Sequence, residues 1–165
     1  MSDLSIRRAE AADAPLILEF VRGLAEYERE PNAVVATVED FLRDGFGDAP
    51  LFHVFIAEVR EGKTVKPAGF ALYFFQYTTW RGKPVLYLED LFVRPEFRGL
   101  RVGRSLLREL AREAVARKCA AVQWLVLDWN ADAIAFYERL GARILKEWQP
   151  VRIDGAAMIA LAEET

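Results

Sequence analysis

The segment from Val93 to Leu110 combines glycines with regularly spaced basic side chains. Its glycines are Gly99 and Gly103, and its arginines recur every three or four residues: Arg94, Arg98, Arg101, Arg104 and Arg108. If a strand ends at Val93 and a helix starts near Leu100, the first helical amides point outward with a partial positive charge. Glycines allow close approach to the backbone, and arginines add charge-assisted hydrogen bonds. The pattern predicts a diphosphate site; a solvated basic helix face is the alternative.

Two common nucleotide-binding patterns are absent from this segment. The sequence contains no GxxxxGK[ST], and the GxGxxG of dinucleotide folds fails because Arg101 and Val102 follow Leu100. A P-loop and a dinucleotide-binding fold are therefore both excluded as interpretations of the glycines.

The composition fits one soluble globular domain over residues 1–165. The chain has 53% hydrophobic and 28% charged residues, enough for a full core at a length of 165 residues. The net charge is −3, with 22 basic and 25 acidic residues. The arginine cluster is therefore a local feature, which predicts a small-molecule partner and no nucleic-acid binding.

The cysteine and histidine content and the hydropathy indicate the compartment and whether a membrane span or a metal site is expected. Cys119 is the only cysteine, so no internal disulfide can form, and the start MSDLSIRRAE has no apolar signal core. These features favour the cytoplasm. The longest apolar stretches fall well short of the ~18 residues of a membrane helix, which predicts no membrane association. His53 and Cys119 provide no Cys/His cluster, so no metal site is predicted.

The first third of the chain predicts a strand and two helices. A short strand is expected over Leu4–Arg8. Asp13 is a suitable N-cap with Pro15 just inside the helix, and apolar residues at helical spacing continue to about Glu28. Thr37 and Asp40 form a capping-box pattern for a short helix that ends at Gly45 or Gly47.

The remainder alternates strands with helices. Strands are expected at 51–59 and 68–77, joined by a hairpin loop over 60–67. A strand at 85–93, a helix to about Lys118 and a strand at 121–129 form a crossover, which implies parallel pairing of 85–93 with 121–128. A last helix begins at Ala131 and closes at Gly141, and residues 143–160 alternate like an edge hairpin. The predicted class is α/β, a mixed sheet with helices on both faces.

Several segments, in one order, resemble the GNAT N-acetyltransferase superfamily. RGLRVG, from Arg98 to Gly103, is similar to that family's [RQ]xxGx[GA] cofactor loop, and WNADAIAFYERLGA resembles its second half. IRRAEAADAPLI, LAEYE, EDFLRDGFG and YLEDLFV extend the resemblance along nearly the whole chain. Together they are typical of the diamine acetyltransferase branch, which includes spermidine/spermine and thialysine acetyltransferases.

The resemblance implies a fold, a cofactor and a partner. The fold is a single domain whose central, mostly antiparallel sheet has about seven strands, with one splayed parallel pair. The cofactor is acetyl-CoA, and the family is usually homodimeric. The implied cofactor-binding residues are Leu91, Phe92, Val93, Arg98, Gly99, Leu100, Arg101, Val102, Gly103, Arg104, Asn130, Ala131, Asp132, Ala133 and Tyr137.

Arg101 departs from the family pattern, because it replaces the middle glycine of the loop. If the position needs a positive φ, arginine strains the turn. If φ is negative, the backbone N–H is kept and the guanidinium can add a phosphate contact. The sequence leaves both possibilities open.

Amine attack on a thioester requires two proton transfers. Phenols and thiols have reference pKa values of about 10 and about 8.5, close enough for proton transfer, and the resemblance implies that Tyr137 is the general acid. A buried core tyrosine is the alternative.

Burial in an apolar strand makes a carboxylate a better base, and the resemblance favours Glu89 as that base, directly or through water. Successive side chains of a strand point to opposite faces, so Glu89 and Asp90 cannot both face one cleft unless a bulge intervenes. The alternative is that these acids have a structural role and are satisfied by nearby arginines or backbone N–H groups.

The resemblance implies a cationic acceptor. Its predicted contacts are Tyr27, Glu28, Glu89, Gln123, Trp124 and Leu125. A solvated helix end is the alternative for the acids near Glu28. Polyamine-acetylating members tend to carry an acid where this chain has Thr78 and Thr79, which favours thialysine-like or shorter amines.

Three functions are consistent with the sequence. The first is acetylation of a primary amine on a small cationic molecule (a diamine, a polyamine or a thialysine-like amino acid) by direct transfer. The second is protein lysine acetylation with the same cofactor. The third is a catalytically silent CoA-binding regulatory domain in which Arg101 disturbs the loop.

Overall fold

The computed structural model describes residues 3–164, and the chain divides into two compact units, Met1–Leu125 and Val126–Thr165. The first unit contains the described strands and three α-helices, and the second contains two α-helices. A single domain over the whole chain stays a prediction. No described helix is both long enough and apolar enough to cross a membrane.

The sheet of the first unit has five strands within the described residues. They are β1 (Asp3–Arg8), β2 (His53–Glu61), β3 (Thr64–Thr78), β4 (Lys83–Val93) and β5 (Val122–Gln123). The spatial order is β1-β2-β3-β4-β5. The first three pairings are antiparallel, and β4 pairs with β5 in parallel. The predicted mixed α/β sheet with one parallel pair is confirmed, whereas seven strands is wrong.

Three α-helices accompany the sheet: α1 (Ala14–Tyr27), α2 (Val38–Phe46) and α3 (Val102–Ala116). The predicted capping box of α2 is confirmed, because the Thr37 hydroxyl accepts from the Asp40 amide at 3.3 Å and the Asp40 carboxylate accepts from the Thr37 amide at 2.8 Å. Asp13 precedes α1, but its side chain does not cap that helix. Its carboxylate accepts from the Glu10 amide at 2.8 Å and from Arg7 at 2.7 Å, which closes the preceding 3₁₀ turn.

The two faces of the sheet carry separate apolar clusters, as the period-two pattern of the strands requires. On the α1 face, α1 and α2 pack against the sheet through the buried residues Ile17, Phe20, Phe41, Ile56, Phe70, Leu72 and Phe92. On the α3 face, α3 packs against it through Phe55, Tyr73, Leu86, Leu88, Leu106 and Leu110. Helices on both faces are therefore confirmed.

Strand boundaries differ from the prediction in two places. Residues 60–67 are not a loop, because β2 and β3 extend through them and only Gly62 and Lys63 lie between the strands. The positive φ of Gly62 (62°) permits this short connection. The strand expected over 121–129 contains only Val122 and Gln123, which pair with Leu86 and Tyr87. Apolar content alone does not supply the hydrogen-bonding partner that a longer strand needs.

The second unit contains α4 (Ala131–Arg139) and α5 (Gly155–Ala162). The start of the last predicted helix is confirmed, and Gly141, with φ of 89°, follows its end. The edge hairpin predicted over residues 143–160 is wrong, since no strand is described there and α5 occupies its second half. The segment GAAMIALA is alanine-rich and apolar all round, and helix propensity outweighs the weak alternation that suggested strands.

Candidate active site

The connection between β4 and α3 forms the predicted anion loop. A 3₁₀ turn at Pro95–Phe97 leads into exposed residues 98–101, and α3 begins at Val102. Phe97 and Val102 are 3% and 1% exposed and fix both ends of the loop in the core of the α3 face. The first helical N–H groups of α3 have no carbonyl partner four residues earlier in the helix, so they are available to an anion.

Arg101 adopts the left-handed conformation, with φ of 63° and ψ of 13°. Gly99 also has a positive φ, 80°, and a Cβ atom built on it would meet nothing within 4 Å. The loop therefore needs a left-handed residue at the position where the family pattern has glycine. Of the two possibilities that the sequence left open for Arg101, the strained one is present.

Two arginines of the segment reach back to α1. Arg94 binds Glu19 at 2.5 Å and lies 5.2 Å from the centre of the Phe20 ring. Arg98 donates from Nε to the Val93 carbonyl at 3.2 Å, and its guanidinium carbon lies 4.9 Å from the centre of the Tyr27 ring. Within the described residues the other three form no ion pair and are exposed: Arg101, Arg104 and Arg108.

The C-terminal half of β4 extends beyond its partner strand. The Leu86 amide donates to the Ala121 carbonyl on the β5 side, whereas the Arg94 amide donates to Ala68 on the β3 side. The last parallel pairing joins Tyr87 to Gln123, although β4 continues to Val93. Since main-chain groups alternate in direction along a strand, the N–H and C=O groups of Leu91 and Val93 point to the edge away from β3. No strand of the described chain pairs with them there.

A β-bulge lies at the two acids of β4. Asp90 pairs with Leu72 and Leu88 pairs with Tyr73, so Glu89 is the extra residue of β4. Directly opposite residues share a face, and Leu72 belongs to the α1 face, so Asp90 lies on that face as well.

The bulge reverses the alternation of β4. Leu86 and Leu88 before it pack on the α3 face, and so do Leu91 and Val93 after it. Tyr87 stands between Leu86 and Leu88 in the strand, so its side chain lies on the α1 face. Burial, and then the negative charge of Glu89, raise the pKa of Tyr87. Glu89 itself is exposed. The bulge that the sequence required for the two acids to share a cleft is present.

Asp90 is the carboxyl group with the most perturbed ionisation at this site. Burial, followed by the negative charges of Glu89 and Glu28, raises its pKa to about 7. Desolvation also raises the pKa of Glu28, which follows the end of α1. Asp90 has no ion pair among the described residues, so no described cation offsets the effect of the two neighbouring acids on its pKa. The family resemblance favoured Glu89 as the base, and that assignment stays a prediction.

The predicted acceptor residues are only partly brought together. Tyr27, at the end of α1, is 40% exposed and lies beside Arg98. Gln123 is exposed at the end of β5, and Leu125 is 66% exposed. Trp124 instead packs against the cluster of the α3 face, away from the acids of the α1 face.

The second unit holds the remaining predicted residues on α4. The Asn130 side-chain oxygen accepts from the Ala133 amide at 3.3 Å and caps the helix, whose first turn contains Ala131 and Asp132. Tyr137 follows in the same helix, and its ring centre lies 5.4 Å from that of Phe136. The Asn130 oxygen thus has a structural role, whereas the first-turn amides give α4 an N-terminus of the kind that binds anions.

The chain is similar to known proteins along most of its length. A model of the Acetyltransferase (GNAT) family matches residues 17–142. The chain is 39% identical to the thialysine N-epsilon-acetyltransferase of Sus scrofa, over 98% of this chain and 99% of that protein. It is 40% identical to spermidine/spermine N(1)-acetyltransferase-like protein 1 of Homo sapiens, over 99% of this chain and 24% of that protein. A solved integron cassette protein of V. cholerae superposes with a TM-score of 0.79 at 25% identity, over 98% of each chain.

The mixed sheet, its parallel pair and the loop before α3 are thus those of an N-acetyltransferase fold. The chain belongs to the acetyltransferase (GNAT) family. Members of this family generally use acetyl-CoA as the acetyl donor.

Proposed function

We propose that this protein transfers an acetyl group from acetyl-CoA to the primary amine of a small cationic molecule, by direct transfer. The observation that carries the proposal is Asp90 on the α1 face of β4, where burial and then the negative charges of two further acids, Glu89 and Glu28, raise its pKa to about 7. Their mutual repulsion is relieved by an ammonium group, which is the charge of a diamine, a polyamine or a thialysine-like amino acid. The full-length similarity to the thialysine N-epsilon-acetyltransferase supports the same acceptor class.

The chain has groups that fit the cofactor. The edge-facing backbone of Leu91 and Val93 matches the amides of an extended pantetheine arm, with Phe92 between them buried on the α1 face. The left-handed loop and the first turn of α3 suit a diphosphate, through residues 98–104. The N-terminus of α4, from Asn130 to Ala133, is proposed to flank the thioester end.

The proposed chemistry uses two residues for proton transfer. Acetyl-CoA, when bound, supplies the thioester and its thiolate leaving group. Glu89 accepts a proton from the acceptor ammonium, directly or through water, so that the neutral amine attacks the thioester carbonyl. Tyr137 would donate its phenolic proton to the departing sulfur, and it would be reprotonated by the second proton that the nitrogen loses as the amide forms. The products are then the N-acetylated amine, the free thiol of CoA and one proton on the base. Asp90 adds a second carboxyl group beside Glu89, and burial, followed by the negative charges of Glu89 and Glu28, raises the pKa of Asp90 to about 7.

The acceptor contacts are proposed at Tyr27, Glu28, Glu89, Gln123 and Leu125. Trp124 is the weakest member of the predicted set, since it packs on the α3 face. We further propose that the protein is a homodimer, which the family resemblance supports, and that it is cytoplasmic, which its single cysteine supports. Sedimentation of the purified protein tests the dimer.

Release of free thiol from acetyl-CoA tests the function directly. The acceptors are spermidine, putrescine, thialysine, lysine and lysine-containing peptides, each at the same concentration. We expect turnover with the small diamines or thialysine and little with the peptides. Turnover on peptides alone would instead favour protein acetylation, and CoA binding without turnover on any amine would favour a silent regulatory domain.

A further inference from the structure

Arg98 connects the cofactor loop to the acceptor end of α1. Its guanidinium carbon lies 4.9 Å from the centre of the Tyr27 ring, a cation–π distance. Its Nε donates to the Val93 carbonyl at 3.2 Å. One side chain thus touches the predicted pantetheine strand, the predicted diphosphate loop and a predicted acceptor residue.

These two contacts fix the plane of the guanidinium. The Nε bond sets its position beside β4, and the Tyr27 ring supports its face. The terminal nitrogens make no other hydrogen bond to the described residues and carry four N–H donors. A guanidinium that is held before binding loses less conformational freedom when it contacts a phosphate, so the ring contributes to anion affinity without touching the anion.

A second link between the same elements provides a comparison. Arg94 also joins the segment after β4 to α1, through Glu19 at 2.5 Å and the Phe20 ring at 5.2 Å. Phe20 is buried, and Glu19 lies in the middle of α1, away from its acceptor end. Loss of this link should loosen α1 but leave Arg98 and Tyr27 in place.

We propose that Tyr27 positions Arg98 for the cofactor diphosphate, so that the cofactor and acceptor sites are energetically coupled through this pair. The inference rests on the proposed function. Because such coupling is reciprocal, diphosphate contacts that hold Arg98 also hold Tyr27 at the acceptor site. The acceptor therefore binds more tightly to the cofactor-loaded enzyme.

Calorimetric titration of the full chain with CoA, without any amine, tests the positioning role. Tyr27→Leu should weaken CoA binding roughly three- to tenfold, whereas Tyr27→Phe, which keeps the ring, should stay within about twofold of the wild type. Arg98→Gln should weaken CoA binding at least as much. The double variant Tyr27→Leu/Arg98→Gln should bind CoA no more weakly than Arg98→Gln alone, because both changes remove one interaction. Glu19→Gln is the matched control and should leave CoA affinity unchanged.

Steady-state kinetics at saturating acetyl-CoA test the coupling. Arg98→Gln should raise the KM for the amine several-fold, although Arg98 is not a predicted acceptor contact. Arg104→Gln, a loop arginine without a contact to Tyr27, should weaken CoA binding but leave the amine KM at saturating cofactor unchanged. Thermal melts of each variant establish that it is folded.

The outcomes separate the inference from the function on which it rests. The inference is overturned if Tyr27→Leu has unchanged CoA affinity, or if the two substitutions have additive effects in the double variant. The proposed function still stands in that case if the wild type acetylates amines. An equal rise in amine KM in Arg98→Gln and Arg104→Gln also overturns it. Failure of the folded wild-type protein to bind CoA overturns both.

Discussion

Asp90 lies directly across the β3–β4 ladder from Leu72, on the sheet face that packs against α1. The bulge at Glu89 causes this placement, because without it the side chain at position 90 would follow Leu88 to the α3 face. A carboxyl group therefore takes a place among apolar neighbours and next to two further acids. Burial and the charges of those two acids raise its pKa to about 7.

The stability of the protein should fall as the pH rises toward 7, and Asp90 should be a main cause. Its pKa is raised to about 7 by burial, by Glu89 and by Glu28, so between pH 4 and pH 7 the folded state binds a proton that the unfolded state has released. The free energy of unfolding then decreases with rising pH over that window, by an amount on the order of 3 kcal/mol. Asp90→Asn should remove this decline and be more stable than the wild type at pH 8.

Urea unfolding at pH 5 and pH 8 measures the effect. Asp48→Asn, a change at an exposed aspartate, is the matched control and should retain the wild-type slope with pH. Equal slopes in the wild type and Asp90→Asn would show that Asp90 ionises in the folded protein as it does in the unfolded chain.

The acidic limb of the kcat/KM profile should report the carboxyl group that accepts the proton from the amine. That group acts as a base only when it is deprotonated, so kcat/KM should fall as the pH is lowered. Glu89→Gln should remove that limb if Glu89 accepts the proton. Asp90→Asn should move the limb to lower pH, because it removes a neighbouring negative charge. Loss of the limb in Asp90→Asn, with the limb retained in Glu89→Gln, would reassign the base to Asp90.

Tyr137→Phe should lower kcat by roughly 100-fold and leave CoA affinity unchanged, as expected for the loss of a general acid. The substitution keeps the ring that packs beside Phe136, so α4 should remain folded. Tyr77→Phe, at a tyrosine that is 68% exposed near the end of β3, is the control and should retain full turnover. A Tyr137→Phe enzyme with wild-type kcat would exclude the phenol from proton transfer.

Local patterns predicted the elements whose signals lie within a few residues of one another. The capping box at Thr37 and the apolar period of α1 needed no knowledge of the rest of the chain. The bulge at Glu89 depends on the register between two strands, which an apolar sequence does not specify. The contact of Arg98 with Tyr27 is likewise tertiary. The loop and the acids could therefore be named from the sequence, but not the face on which the acids meet.

Arg101 should trade stability for ligand binding, because a non-glycine residue in the left-handed region is strained and such strain is retained at functional sites. Arg101→Gly should raise the free energy of unfolding by roughly 0.5–1 kcal/mol, the relieved strain less the greater entropy of an unfolded glycine. It should also weaken CoA binding several-fold, more at low salt, through loss of a guanidinium near the diphosphate. Lys118→Gly removes a left-handed residue (φ 57°) after the other end of α3 and is the matched control. Denaturant unfolding should show a similar gain in stability for both variants, whereas CoA titration should show weaker binding only for Arg101→Gly. Equal CoA affinities in the two variants would mean that the Arg101 side chain does not contact the cofactor.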